Sequence, residues 1–261
     1  MVLAKDVMHM VVSVKPDDSA TKARAMIRRW GNRALPVLDN NKIIGIVTRG
    51  DLLGITSSKA NITVEGIMNK NIILAEPNED IFSVARKIVK TEARQIPVVE
   101  SADNPIFLGI VTSSDIIRVL VDYDYAPVKK NITEVMKSDV VFVSPEDHIS
   151  KVWDKMRSGK FSGFPVVNEK GKVVGFISRR DIFLHGSIRL SKESGKSRIS
   201  NVSKIMRQLV AVVTKGKTTK EVAKFMIDKH VIRLPIVDDE KNMKLVGIVD
   251  AEDILRAYVG A

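Results

Sequence analysis

The sequence predicts an α+β chain made of four copies of one small unit, each a strand, a helix, a two-stranded hairpin and a second helix. Three observations carry that expectation. An aliphatic residue followed by methionine recurs at Val7-Met8, Ile67-Met68, Val135-Met136 and Ile205-Met206. A proline flanked by aliphatics or Phe follows each methionine after 28, 29, 29 and 29 residues, at Pro36, Pro97, Pro165 and Pro235. Each copy then closes on a phrase that starts with glycine and ends six residues later with aspartate: GIVTRGD (Gly45 to Asp51), GIVTSSD (Gly109 to Asp115), GFISRRD (Gly175 to Asp181) and GIVDAED (Gly247 to Asp253). Self-similarity at a fixed period is the signature of a repeat architecture.

The elements follow in order within each copy. After the methionine comes a short apolar strand such as Val140 to Val143. A helix follows, with apolar residues at i, i+3 and i+7: Ala20/Ala23/Ile27, Ile81/Val84/Ile88, Ile149/Val152/Met156 and Thr219/Val222/Met226. Acidic pairs at Asp17-Asp18, Glu79-Asp80 and Glu146-Asp147 precede or open three of these helices, where negative charge complements the dipole. The proline strand and the glycine strand make a hairpin, and Asn40-Asn41 suits a turn with positive φ. The second helix starts at the hydroxyl and aspartate of the phrase and runs through Leu52-Leu53, Ile116-Ile117, Ile182-Phe183 or Ile254-Leu255. The copies divide as residues 1–60, 61–125, 126–190 and 199–261, with connecting stretches at Ser57 to Ala60, Tyr123 to Lys130 and Gly186 to Ser200. One unit cannot cover its own sheet, so units are expected to pack in pairs.

Composition narrows the function classes. There is no cysteine, which removes disulfides, thiolate nucleophiles and cysteine metal sites. His9, His148, His185 and His230 are scattered without ligand spacing. No apolar run approaches the roughly 20 residues needed to span a bilayer, and the first residues lack the order of a secretory signal, so a cytoplasmic protein without membrane contact is expected. A net charge of +11 attracts polyanions. Residues 1–130 carry 18 basic and 15 acidic side chains, so most of the excess lies in the second half. Part of it is the run from Ile188 to Arg207, within a basic linker over residues 186–207. A solvated linker and a nucleic-acid contact both fit that run.

The chemistry centres on the closing phrase. A hydroxyl at the end of a strand can cap the next helix, and an aspartate three residues on complements its dipole. The same geometry suits a ligand. A carboxylate accepts from the two vicinal hydroxyls of a ribose, a helix N-terminus offers N–H groups to phosphate, and aliphatic strand residues sandwich a flat base. Together they fit an adenosine nucleotide. Trp30 and Trp153, on the first helices of their copies, are expected in the core or at the pair interface.

The aliphatic-Met lead-in, the Leu/Ile/Phe-Pro-Val/Ile strand and the Gly-Ile-Val-Thr-x-x-Asp ending resemble cystathionine-beta-synthase (CBS) domains, which occur in tandem pairs called Bateman modules. Four copies cover almost the whole chain as two modules in a disc-like arrangement, a layout similar to the gamma subunit of the AMP-activated protein kinase and to stand-alone archaeal CBS proteins. The resemblance implies that Asp51, Asp115 and Asp181 bind ribose and that Thr48, Thr112, Ser114 and Ser178 contact ribose or phosphate. It also implies phosphate contacts from basic residues just before the proline strand. Arg33, Arg94 and Arg233 hold such places, Ser162-Gly163 offers none, and Arg49, Arg179 and Arg180 lie inside the phrase; of these, Arg33, Arg94 and Arg179 are the candidates taken forward. Thr133 and Ser203, three residues before their methionines, are candidates by the family's sharing of sites between paired repeats. The fourth copy departs from the pattern, because Asp250 stands where the hydroxyl belongs and would repel phosphate.

The leading expectation is therefore a non-catalytic regulatory sensor with no catalytic cofactor, binding AMP, ADP, ATP or S-adenosylmethionine and acting on a protein partner, as a monomeric disc or a homodimer. The alternative is a basic nucleic-acid-binding or scaffolding protein. An enzyme is disfavoured, since no Walker-type phosphate loop, nucleophile elbow or His/Asp/Ser constellation is present.

Overall fold

The computed structural model describes residues 1–53, 62–91, 93–159, 161–185, 201–208 and 211–260. The expected connections at Ser57 to Ala60 and Gly186 to Ser200 lie outside them, as do Arg189, Lys192, Lys196 and Arg198 of the basic run. Repeat 1 holds α1 (Ala4–Val7), α2 (Ala20–Trp30), β1 (Ala34–Asp39), β2 (Lys42–Thr48) and α3 (Arg49–Leu53). Repeat 2 holds α4 (Ile81–Thr91), β3 (Gln95–Val99), β4 (Phe107–Thr112) and α5 (Ser113–Asp122). Repeat 3 holds α6 (Ile149–Ser158), β5 (Gly163–Val167), β6 (Val173–Ser178) and α7 (Arg179–His185). Repeat 4 holds β7 (Val213–Thr214), α8 (Thr219–Asp228), β8 (Arg233–Val237), β9 (Leu245–Asp250) and α9 (Ala251–Val259). Among the described residues no helix is long and apolar enough to cross a membrane.

The apolar positions expected along the first helices are all buried, including Thr219, whose hydroxyl donates to the Lys129 carbonyl at 2.7 Å. Each hairpin is antiparallel and slips register one residue after its proline, at Val37/Leu38, Val98/Val99, Val166/Val167 and Ile236/Val237. Asn40 and Asn41 take φ of 48° and 64°, as the first turn requires.

The first strand of each unit is shorter than expected. In repeats 1 to 3 it is a single parallel bridge, Val14 to Val37, Ala75 to Val98 and Val143 to Val166, and in repeat 4 it is the two residues of β7. The proline supplies the reason. Val14, Ala75 and Val143 each donate to the proline carbonyl of the neighbouring strand at 3.0, 2.9 and 3.1 Å. The next donor on that edge would be the proline nitrogen, which carries no hydrogen, so the ladder stops.

Repeats pair by exchanging the segments that carry their methionines. His9 forms both backbone bonds with Ile110 of repeat 2, and Asn69 forms both with Ile46 of repeat 1. Lys137 pairs likewise with Ile248 of repeat 4, and Arg207 with Phe176 of repeat 3. Hairpin turns also meet within each module, Ile43 donating to Pro105 and Val173 to Met243 at 2.9 Å each. The modules then join through helices. A single apolar core runs through repeats 2 and 4, from Val84, Ile88 and Leu120 to Val222, Leu255 and Tyr258. Repeats 1 and 3 keep separate cores, linked by Phe183 of α7, which sits among Ala23, Ile27, Leu35 and Leu52 of repeat 1.

Trp153 is buried at 3% exposure, as expected, but Trp30 is 57% exposed. It is the last residue of α2, at the turn Gly31 makes, and its ring carries the Arg29 guanidinium instead of packing in a core.

Candidate functional site

Each closing phrase folds into a capping box at the start of the second helix. Thr48 Oγ1 donates to Asp51 Oδ2 at 2.7 Å, and the same oxygen accepts from the Thr48 backbone N–H at 2.7 Å. Thr112 and Asp115 repeat this at 2.7 and 2.8 Å, and Ser178 and Asp181 at 2.5 and 2.8 Å. One carboxylate oxygen of each aspartate is thus held by its own helix start. Among the described residues Oδ1 of Asp51 has no hydrogen-bond or ion-pair partner, while Oδ1 of Asp181 lies 3.3 Å from Arg207 Nε.

The residue after three of the exchanged methionines meets the aspartate of the partner repeat. His9 Nδ1 lies 3.5 Å from Asp115, Arg207 reaches Asp181, and Lys137 Nζ lies 2.8 Å from Asp253 Oδ1. Asn69 holds the equivalent place for repeat 1 and lines a cavity shared by the four repeats. These four residues were not singled out in the sequence, although their position one after each methionine marks them.

All four phrases reach one cavity of about 1210 Å³ bounded by all four repeats, the fourth through Glu252. Thr48, Thr112, Ser114 and Ser178 are in its wall, and Asp51, Asp115 and Asp181 are not. The wall also carries Arg33, Arg49, Arg94, Arg179, Arg180 and Arg233. Arg33, Arg94 and Arg179 are therefore brought together from three repeats. Thr133 and Ser203 are not; each lies in a 3-10 turn, at Ile132–Glu134 and Val202–Lys204, away from the cavity wall.

The arginines reach across repeats. Arg179 of repeat 3 donates to the Met156 carbonyl at 2.6 Å, and its Nη1 lies 2.9 Å from where a side chain on Gly50 of repeat 1 would begin. Arg94 of repeat 2 meets Glu252 Oε1 of repeat 4 at 2.9 Å and Asp250 Oδ2 at 3.6 Å. Arg233, one residue closer to its proline than Arg33 and Arg94 are to theirs, lies on β8 opposite Asp250. It donates to Asp250 Oδ2 at 2.6 Å and to Ser162 at 2.7 Å, so repeat 4 supplies the arginine that repeat 3 lacks.

Crowding shapes the electrostatics. Burial, with repulsion from Arg94, Arg233 and Arg49, pushes the Arg33 guanidinium well below its ordinary pKa. Burial and Arg180 push Arg49 down to about 10. A guanidinium stays protonated at neutral pH, so burial and mutual repulsion leave these cations poorly compensated, a state an anion would relieve. Among the described residues Arg33 has no side-chain hydrogen bond or ion pair. In the fourth phrase burial opposes ionisation of Asp250, but Arg233 and Arg94 outweigh it and hold its pKa far below the carboxylate range. Burial raises that of Glu252. Asp253, held by Lys137 and 6% exposed, is likewise raised by burial and by Asp250.

Paired β-α-β-β-α repeats braced by exchanged methionine segments define a four-repeat protein built as two Bateman modules. The chain belongs to the CBS domain family, whose model matches residues 4–57, 64–122, 132–186 and 202–260. It is 28% identical over 275 residues to the uncharacterized protein MJ1225 of Methanocaldococcus jannaschii, covering 95% of each. The crystal structure of MJ1225, proposed as an archaeal homologue of g-AMPK, has a TM-score of 0.85 over 98% of this chain and 99% of that one, at 24% identity. An uncharacterized conserved protein of Pyrococcus horikoshii shares the fold at a TM-score of 0.67 and 20% identity, over 98% and 99% of the chains. The inosine-5'-monophosphate dehydrogenase of M. jannaschii is 32% identical over 127 residues, 49% of this chain and 23% of that enzyme.

Proposed function

We propose that the chain is a regulatory sensor that binds adenosine-containing ligands, AMP, ADP, ATP or S-adenosylmethionine, at the phrases of repeats 1, 2 and 3. The observation that carries this reading is the shared cavity, where the hydroxyls of three phrases meet an arginine cluster in which, among the described residues, neither Arg33 nor Arg180 has a side-chain hydrogen bond or ion pair. Phosphate satisfies the cluster: Arg33 and Arg179 hold the first phosphate, and Arg94, paired with Glu252, is reached only by a longer chain. The ribose hydroxyls go to Thr48, Thr112, Ser114 and Ser178, and Asp51, Asp115 and Asp181, outside the wall, orient Thr48, Thr112 and Ser178 through their caps. Thr133 and Ser203, outside the cavity wall, take no part.

The chain acts by binding rather than turnover. A ligand that prefers one arrangement of the four repeats shifts the molecule toward it, and a protein partner reads that arrangement. The arginines discussed line a cleft shared by four repeats, a shape that favours a small anion over a nucleic-acid strand.

Titration calorimetry and thermal melting with millimolar AMP, ATP and S-adenosylmethionine test the reading. At least one of the three is expected to raise the melting midpoint by mass action. Asp51→Asn, Asp115→Asn and Asp181→Asn keep an acceptor for the helix cap, so each is expected to remove a share of the ligand effect while leaving unliganded stability within about 1 kcal/mol of wild type. No heat and no shift with any of the three ligands overturns it.

A further inference from the structure

The fourth phrase puts carboxylates where the others put neutral or basic groups. Asp250 replaces the hydroxyls of Thr48, Thr112 and Ser178, and Glu252 stands where the other copies have Gly50, Ser114 and Arg180. Asp250 Oδ1 caps α9, accepting from the Glu252 and Asp253 N–H groups at 3.1 and 3.2 Å. Its Oδ2 takes Arg233 at 2.6 Å with Arg94 3.6 Å away, and Glu252 meets Arg94 Nε at 2.9 Å. Three guanidinium groups, Arg33, Arg94 and Arg233, thus face two carboxylates, and the uncompensated charge rests on Arg33.

We propose that Asp250 and Glu252 are an internal anion that occupies Arg94 and Arg233 and makes the cavity discriminate against ligands with longer phosphate chains. The proposal rests on the nucleotide-binding reading above. A single phosphate is met by Arg33 and by Arg179, whose Nε is buried without a hydrogen-bond partner. A triphosphate carries more charge than those two neutralise, and Arg94 is the cation whose charge acts most strongly on both of them. Arg94 belongs to repeat 2, where its carbonyl accepts from the Ser113 N–H at the start of α5 at 3.1 Å, yet its side chain is held by repeat 4. A ligand that takes Arg94 leaves two largely buried carboxylates without part of their compensation, a cost a monophosphate does not incur. Inorganic phosphate chains meet the same penalty, because the contest is between anions and does not involve the base or sugar.

The full chain is compared with Asp250→Asn and Glu252→Gln. Asparagine keeps the capping acceptor of Asp250, and glutamine preserves the size of Glu252, whose side chain caps nothing. AMP and ATP are titrated by calorimetry, and inorganic tripolyphosphate by thermal shift. Each substitution is expected to tighten ATP and tripolyphosphate about tenfold while changing AMP by less than about threefold, the scale of one charge-assisted contact. An unchanged ratio of ATP to AMP affinity together with an unchanged tripolyphosphate shift overturns the inference. The tripolyphosphate arm separates it from the functional reading. If wild type binds no adenosine ligand but the variants gain tripolyphosphate, the sensor reading fails and the internal anion stands. If nucleotides bind wild type and both variants alike, the reverse holds. Should Asp250→Asn fail to fold, Glu252→Gln decides by the same comparison.

Discussion

At the scale of single residues, two of the landmarks that recur along the sequence are halves of one contact. A side chain on Gly45 would begin 2.6 Å from Met68 Sδ and 3.0 Å from the Asn69 carbonyl. Gly247 stands in the same relation to Met136 Sδ, at 2.6 Å. The glycine lets the partner repeat's backbone approach, and the methionine fills the space. Gly45→Ala therefore overpacks the junction of repeats 1 and 2 and is expected to cost about 1–3 kcal/mol, read as a lower midpoint in urea unfolding; an unchanged midpoint would show that the segment yields freely. Spacing made both residues visible in the sequence, but their contact joins different repeats and has no local signature. The site divides the same way. The hydroxyls and the arginines before the proline that line the cavity were legible because each follows from its own strand and helix start, whereas the aspartates form the caps and lie outside the wall. His9, Lys137 and Arg207 were not, since they act on aspartates of a different repeat, 106, 116 and 26 residues away along the chain. The pairing of Arg233 with Asp250 follows only from hairpin register.

At the scale of elements, helical spacing gave the buried faces correctly because side chains at i, i+3 and i+7 share a face whatever covers it. The first strands were overread, because an apolar run signals burial while the missing proline hydrogen limits pairing. Trp30 shows the related limit, since a large apolar side chain at a helix end need not face the core. The least local element is α7. Its Phe183 is 2% exposed within the core of repeat 1, under the Arg28 guanidinium, which also donates to the Phe183 carbonyl at 3.0 Å. Phe183→Ala is expected to cost about 3–5 kcal/mol. Amide exchange should quicken in α2 and α3 of repeat 1 as well as in α7, while α4 and α9 stay protected. Loss of protection confined to repeat 3 would contradict this bridging role.

At the scale of the whole molecule, the four repeats are not equivalent despite their common plan. Among the described residues repeats 2 and 4 share one core, whereas repeats 1 and 3 are joined by a few side chains, which makes the seam between repeats 1 and 3 the weaker of the two there. The pairing of modules was legible as a need to cover open sheets, but which helices meet was not, because an apolar face does not name its partner. Cavity chemistry follows the same asymmetry, with Arg179 reaching from repeat 3 to repeat 1 across the weak seam and Arg94 fixed to repeat 4 across the strong one. A ligand that bridges the weak seam is where binding and rearrangement would couple. A crystal structure of the chain grown with AMP tests the central claim most directly. Nucleotide phosphate in the shared cavity within hydrogen-bond reach of Arg33 and Arg179, with ribose at Thr48, Thr112 or Ser178, is the predicted result. An arginine cavity empty of ligand at saturating AMP, or nucleotide bound only on the outer surface, would contradict it.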